Sequence, residues 1–195
     1  MSGVLQAVCA VLPIFGCGPK DVMVPIPRTA AYVGDLSAGK ARMDAAAAEK
    51  LINDYRARNG LAGVKVDPTL TKIAQIQADA MAARDLMSHD LPGLGGLRGR
   101  LQAGGYRAGA AAENLGAGYR TLGAAFTGWR GSPSHRANLL RKGVTQLGIA
   151  LARTPRGRFK VYWAMIVAAP DLRVQAAEMM QPDRPPGRAA QKRAP

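Results

Sequence analysis

Beyond residue 17 the chain has no cysteine. Cys9 and Cys17 are the only two among 195 residues. No disulfide can staple the body of the chain, and no thiolate zinc site can form in it, so stability has to come from packing. Histidine is as scarce, with only His89 and His135. Aromatic residues make up 5%, and no basic-aromatic interleaving of the kind that reads RNA is present. No specific nucleic-acid partner is therefore expected, despite a net charge of +14. Acidic residues nearly vanish from the second half. Between Asp90 and Asp171 there are twelve Lys or Arg residues and a single carboxylate, Glu113. There is no internal repeat, no G-x-S-x-G elbow, no H-E-x-x-H and no P-loop lysine after Gly116 and Gly118.

What is there begins with charge. A chain this basic is drawn to anionic surfaces such as phospholipid head groups or envelope polymers. A lone carboxylate in a basic stretch either has a specific task or serves as the partner of an arginine, with Arg107 and Arg120 as candidates. At the N-terminus, "GVLQAVCAVLPIFGCG" is an apolar run too short for a comfortable membrane span. It reads as the apolar region of a secretory signal, and "IFGC" before Gly18 resembles a bacterial lipobox that would lipidate Cys17. The positive residues that normally open such a signal are missing.

Four segments follow from the punctuation. Residues 1–17 read as the signal and lipobox segment, and 18–43, rich in proline and glycine, as a tether. Residues 44–170 form the folded domain, and 171–195 a short helix and a basic, proline-rich, disordered tail. Within the domain, Asp44 caps a helix whose face is Ala48, Leu51, Ile52 and Tyr55, ending at Gly60. Asp67 and Pro68 open a longer helix with one apolar stripe at Leu70, Ile73, Ala74, Gln77 and Met81, and a second at Ile76, Ala80, Ala83 and Met87. The spacing predicts that His89 ends this helix and that it packs on more than one side. A short helix spans Leu97 to Ala103. "AAENLGAGY" is a short strand or an irregular segment, and Thr121 caps a helix with Leu122, Ala125, Phe126 and Trp129 on one face. "TQLGIALAR" and "FKVYWAMIVAA" are strands apolar at nearly every position, which predicts a sheet covered on both faces. Helices, then a mixed middle, then strands make an α+β pattern.

In "GWRGSPSHRANLL", Ser132 and Pro133 read as N-cap and first residue of a helix that places His135 in its first turn. The positive end of that helix disfavours the imidazolium, which leaves a neutral ring able to bind metal or accept a proton. Asn114 and Asn138 are expected to bond backbone near this point, and Trp129, Trp163 and Tyr162 to belong to the core.

The ordered set "LMSHD", "GGYRAGAAENLGAG" and "WRGSPSHR" resembles the bacterial branch of the CAP superfamily, the cysteine-rich secretory protein, antigen 5 and pathogenesis-related family with its SCP domain. The resemblance runs from about Ala47 to Pro170. It implies a three-layer α-β-α sandwich, export from the cell, and a cleft in which His89, Glu113 and His135 match family positions. It also implies that these three can hold a divalent cation, often zinc, and that the cleft can take a lipid. Relatives outside bacteria carry a second acidic residue shortly after the tryptophan. Here that run offers Arg130 and Ser132, so Arg130 or Arg136 could neutralise Glu113.

The expected function is an extracytoplasmic binding module of the cell envelope, secreted or lipid-anchored, engaging a lipid or anionic polymer. The alternative is a metal-assisted, peptidase-like hydrolase using Glu113 or His135 as base. The missing second acid counts against catalysis, since Glu113 cannot be both ligand and free base. Ser134 beside His135 and Ser88 beside His89 do not make serine hydrolases, because helix neighbours point apart.

Overall fold

The computed structural model describes residues 25–37 and 42–180. The expected signal and lipobox at 1–17, and the tail from 181 onward, lie outside the described residues. Among those described, no helix is long and apolar enough to cross a membrane.

Helix α1 (Ala30–Val33) precedes α2 (Ala45–Arg58), strand β1 (Lys65–Val66), α3 (Pro68–Arg84) and α4 (Leu97–Ala103). Strand β2 (Ala108–Ala117), α5 (Leu122–Gly131), α6 (Pro133–Leu139), β3 (Gln146–Arg153), β4 (Val161–Pro170) and α7 (Leu172–Met179) complete the chain. The helix starts follow the sequence. Asp44, Asp67 and Thr121 each accept a hydrogen bond from the backbone N–H three residues on, at 3.0, 2.8 and 3.0 Å. Each such cap contributes about 1 kcal/mol.

The sheet order is β1-β3-β4-β2, with β1 parallel to β3 and the other pairs antiparallel. Strand alternation gives β4 two apolar faces. Val161, Trp163, Met165 and Val167 join a core with α1, α2 and α5, while Tyr162, Ala164, Ile166 and Ala168 join another with α3 and α4. This is the three-layer α-β-α sandwich that the resemblance implies. Trp129 of α5 meets Trp163 edge to face, ring centroids 6.2 Å apart, so both belong to the core as expected. On the other face α3 crosses β3 so closely that a β-carbon on Gly148 would overlap the backbone of Leu70.

Four local expectations are corrected. Residues 25–37 are not a tether. Tyr32 and Leu36 are buried, Leu36 N–H donates to Arg120 O, and Asp35 pairs with Arg120, so this segment is part of the domain. Helix α3 packs on one principal face, since Ile76, at 43%, and Ala83 of the second stripe are exposed and Met87 lies beyond the helix end. It stops at Asp85, whose φ of 50° breaks the helix, so His89 lies in the following loop instead of ending the helix. The Glu-Asn stretch is neither short nor irregular. It sits inside ten-residue β2, an edge strand paired with β4.

Candidate functional site

Alternation along β2 sends Ala112 toward the α1/α2/α5 layer and Leu115 toward the α3/α4 layer. Glu113 therefore points to the α3/α4 side and Asn114 to the opposite one. Because β2 is the edge of the sheet, side chains from both helical layers can reach around it and meet.

Glu113 receives its partners from the α3/α4 side. Arg100 of α4 grips it with two donors, Nη1 to Oε1 at 2.7 Å and Nη2 to Oε2 at 3.0 Å. Both side chains are 2% exposed. The fork geometry matches two guanidinium N–H groups to two carboxylate oxygens. Nη2 also donates to the carbonyl of His89 at 3.3 Å, so the same side chain holds the loop that carries the histidine. The His89 ring lies 2.8 Å from Glu113 Oε2 through Nδ1. A carboxylate gripped by a guanidinium is an acceptor, so Nδ1 carries a proton, and in the neutral ring Nε2 carries the lone pair. The His89 side chain is 60% exposed, which opens that lone pair to solvent. Behind the loop, Gln77 Nε2 donates to Ser88 O at 2.6 Å, while Gln77 Oε1 is buried with no partner among the described residues.

His135 arrives from the other layer. It is the third residue of α6, after Pro133 at the helix start, and is half-buried. Ser132 occupies the cap position by its backbone, accepting from Arg136 N–H, but its hydroxyl faces Ser134 Oγ at 3.2 Å instead of capping. Burial, and then the neighbouring charge of His89, hold the His135 imidazole below its usual range. Asn114 Nδ2 donates to His135 O at 2.9 Å, and Asn138 Nδ2 donates to Glu113 O at 3.0 Å and Asn114 Oδ1 at 2.9 Å. Both asparagines thus do what their sequence position suggests. Trp129 Nε1 donates to Leu115 O at 2.8 Å, so two carbonyls on the outer side of β2 are taken by side chains.

The structure joins His89 to Glu113 directly and places His135 within electrostatic reach of His89. The arginine on Glu113 is not Arg107, Arg120, Arg130 or Arg136 but Arg100, which sequence reasoning missed. One signal could have found it: Leu97, Arg100 and Leu101 share one face of α4 at the i, i+3, i+4 spacing of a core-facing stripe. Zinc needs ligand atoms with free lone pairs. With Glu113 committed to Arg100 and His89, the three residues do not fit a three-ligand centre as they stand. Among the described residues no group of three or more His, Cys, Asp or Glu side chains is placed to hold a metal ion. Two imidazoles are what remains for a cation.

Two cavities flank α4. One of about 320 Å³ is walled by Ile73, Ile76 and Leu94, with Lys72 and Arg100 among its polar residues. The other, of about 640 Å³, runs along the start of β2 beneath α7 and carries Arg98 and Arg107.

A three-layer sandwich with this His/Glu edge defines a CAP-type domain. The model of the cysteine-rich secretory protein family, CAP, matches residues 49–167, and the chain belongs to that family, among its bacterial members. It is 28% identical over 100 residues to the uncharacterized protein YkwD of Bacillus subtilis, a span that covers 51% of this chain and 39% of that one. An extracellular protein containing a SCP domain from Bacillus anthracis superposes with a TM-score of 0.56 at 30% identity, covering 62% of this chain and 38% of that protein. An outer surface protein of Borrelia burgdorferi shares the fold at 20% identity, with a TM-score of 0.58, over 67% of this chain and 98% of its own. The chain thus spans well under half the length of the curated relative named here.

Proposed function

We propose that this protein is an extracytoplasmic, non-catalytic binding module of the cell envelope, held there by lipidation of Cys17, that engages an anionic amphiphile or polymer at the His89–Glu113–His135 edge. The observation that carries the reading is the commitment of Glu113. A carboxylate gripped by Arg100 and bonded to His89 is an organiser, because a general base needs a free lone pair aimed at substrate. The ligand's sign follows from the twelve-to-one excess of cations over carboxylates between Asp90 and Asp171. The apolar cavity beside Lys72 and Arg100 suits a hydrocarbon chain, and Arg98 and Arg107 suit its anionic head or a polyanion. The relative from Bacillus anthracis, an extracellular protein, supports the location. A divalent cation such as zinc would be held weakly, by the His89 and His135 imidazoles alone, and would supply one more contact for an anionic head group.

The test is co-sedimentation of the chain with phosphatidylglycerol and phosphatidylcholine vesicles, and with a soluble polyanion, at low and high salt. Salt-sensitive binding to the anionic material, reduced in a His89→Ala/His135→Ala variant, is the expected result. Equal binding to neutral vesicles, or none to either anionic probe, would overturn the reading. Zinc-dependent peptide or ester hydrolysis abolished by Glu113→Gln would replace it with the hydrolase.

A further inference from the structure

We infer that Arg100 is the resident cation of this site: its buried guanidinium occupies Glu113 in the place of a metal, and thereby keeps the carboxylate out of any metal's coordination shell. The inference deepens the binding-module reading and rests on it only for the purpose the site serves.

Three observations converge on this. First, the charge balance of the buried site is closed without a metal. One guanidinium and one carboxylate, each 2% exposed, face each other through two short donors, at 2.7 and 3.0 Å. A buried carboxylate demands a compensating cation, and here the chain provides it covalently. Second, three of the roughly four lone-pair sites of Glu113 are taken, because Oε1 accepts from Arg100 and Oε2 from both Arg100 and His89, and a metal at the remaining Oε1 site would sit against the guanidinium. Third, Arg100 reaches beyond the carboxylate to the carbonyl of His89 and that of Gly95, so withdrawing it to admit a metal would also release the loop that carries one of the imidazoles. A metal competing for Glu113 must displace all of these contacts together.

Arg100 is thus a positioning residue. Through Glu113 it fixes His89 as the Nδ1–H tautomer with Nε2 outward, the arrangement that an outer carboxylate imposes on a metal-binding histidine. Arginine suits this where lysine would not, since only a planar fork satisfies both oxygens at once.

The experiment is metal titration of the full chain and of Arg100→Met, Arg100→Lys and Arg100→Met/Glu113→Gln, with zinc followed by calorimetry and cobalt by its visible absorption. Circular dichroism confirms folding in each. Arg100→Met is expected to gain roughly 10- to 100-fold in zinc affinity, the scale on which carboxylate partners act at metal sites. The gain should vanish in the double variant and be absent in Arg100→Lys. A folded Arg100→Met with unchanged affinity overturns the inference. So does an unmodified chain in which zinc abolishes the hydrogen-bonded Arg100 side-chain N–H resonances. That second measurement needs no variant to fold. The expected result is that those resonances, and the His89 Nδ1–H signal, persist through zinc saturation. Vesicle binding is read separately, so failure here leaves the binding-module reading intact, and the reverse also holds.

Discussion

Asn138 reaches from α6 to the sheet edge and donates to both Glu113 O and Asn114 Oδ1, at 3.0 and 2.9 Å. Asn114 in turn holds His135 O at 2.9 Å. The two amides fix the layer that carries His135 against the strand that carries Glu113. Replacing Asn138 by Leu leaves two acceptors without their donor in a part-buried place. We expect a loss of about 1–3 kcal/mol in urea denaturation. We also expect a shifted His135 resonance, which a change confined to packing elsewhere in α6 would not produce.

Arg100→Met leaves Glu113 as an uncompensated buried charge, and the expected cost is about 3–5 kcal/mol. Adding Glu113→Gln removes that charge and should recover part of the loss. A double-mutant cycle in denaturant measures the coupling. Simple additivity would contradict the buried pair.

His135 gives the stability a pH dependence. Its folded-state pKa lies below the ordinary value of 6.5, because burial and the charge of His89 both disfavour the imidazolium. The unfolded chain therefore binds more protons through this window, and stability rises with pH up to about 6.5, then levels. The contribution is lost as the pH falls from 6.5 through the folded value. His135→Gln should flatten that slope in pH-resolved denaturation, and His89→Ala should move the midpoint of the His135 titration upward.

Gly148 of β3 lies against the Leu70 backbone, with no room for a β-carbon. Gly148→Ala should push α3 off the sheet and cost about 1–3 kcal/mol or more, as overpacking does in a filled core. Thermal denaturation checks this, with Gly99→Ala as the control: Gly99 is exposed in α4 and meets nothing within 4 Å, so alanine there should raise stability by about 0.5–1 kcal/mol.

Much of this architecture was legible in the chain. Helix starts at Asp44, Asp67 and Thr121 carry their own caps, and the bounds of α4 follow from an apolar pair between glycines. Strands β3 and β4 announce a two-faced sheet by their unbroken apolar runs. The alternatives that failed were those settled at long range. Strand β1 has only two residues and owes its place to pairing with β3, and to Glu49, which accepts from Val66 N–H at 2.7 Å. The segment before α2 reads as a linker because proline and glycine dominate it, yet Tyr32 finds a core slot that no local pattern reveals. Of the site, the sequence marked His89, Glu113 and His135 but not Arg100. Twelve cations surround one carboxylate, and which of them reaches it depends on how α4 lies across β2.

The carbonyls that Asn138 and Trp129 occupy belong to the outer margin of the sheet, where a strand of another molecule could otherwise add itself. With those acceptors already satisfied, and a register shift breaking the strand between Ala108 and Ala110, this margin is a poor template for chain-to-chain growth. The asparagine that fixes the histidine thus also guards the protein against aggregation.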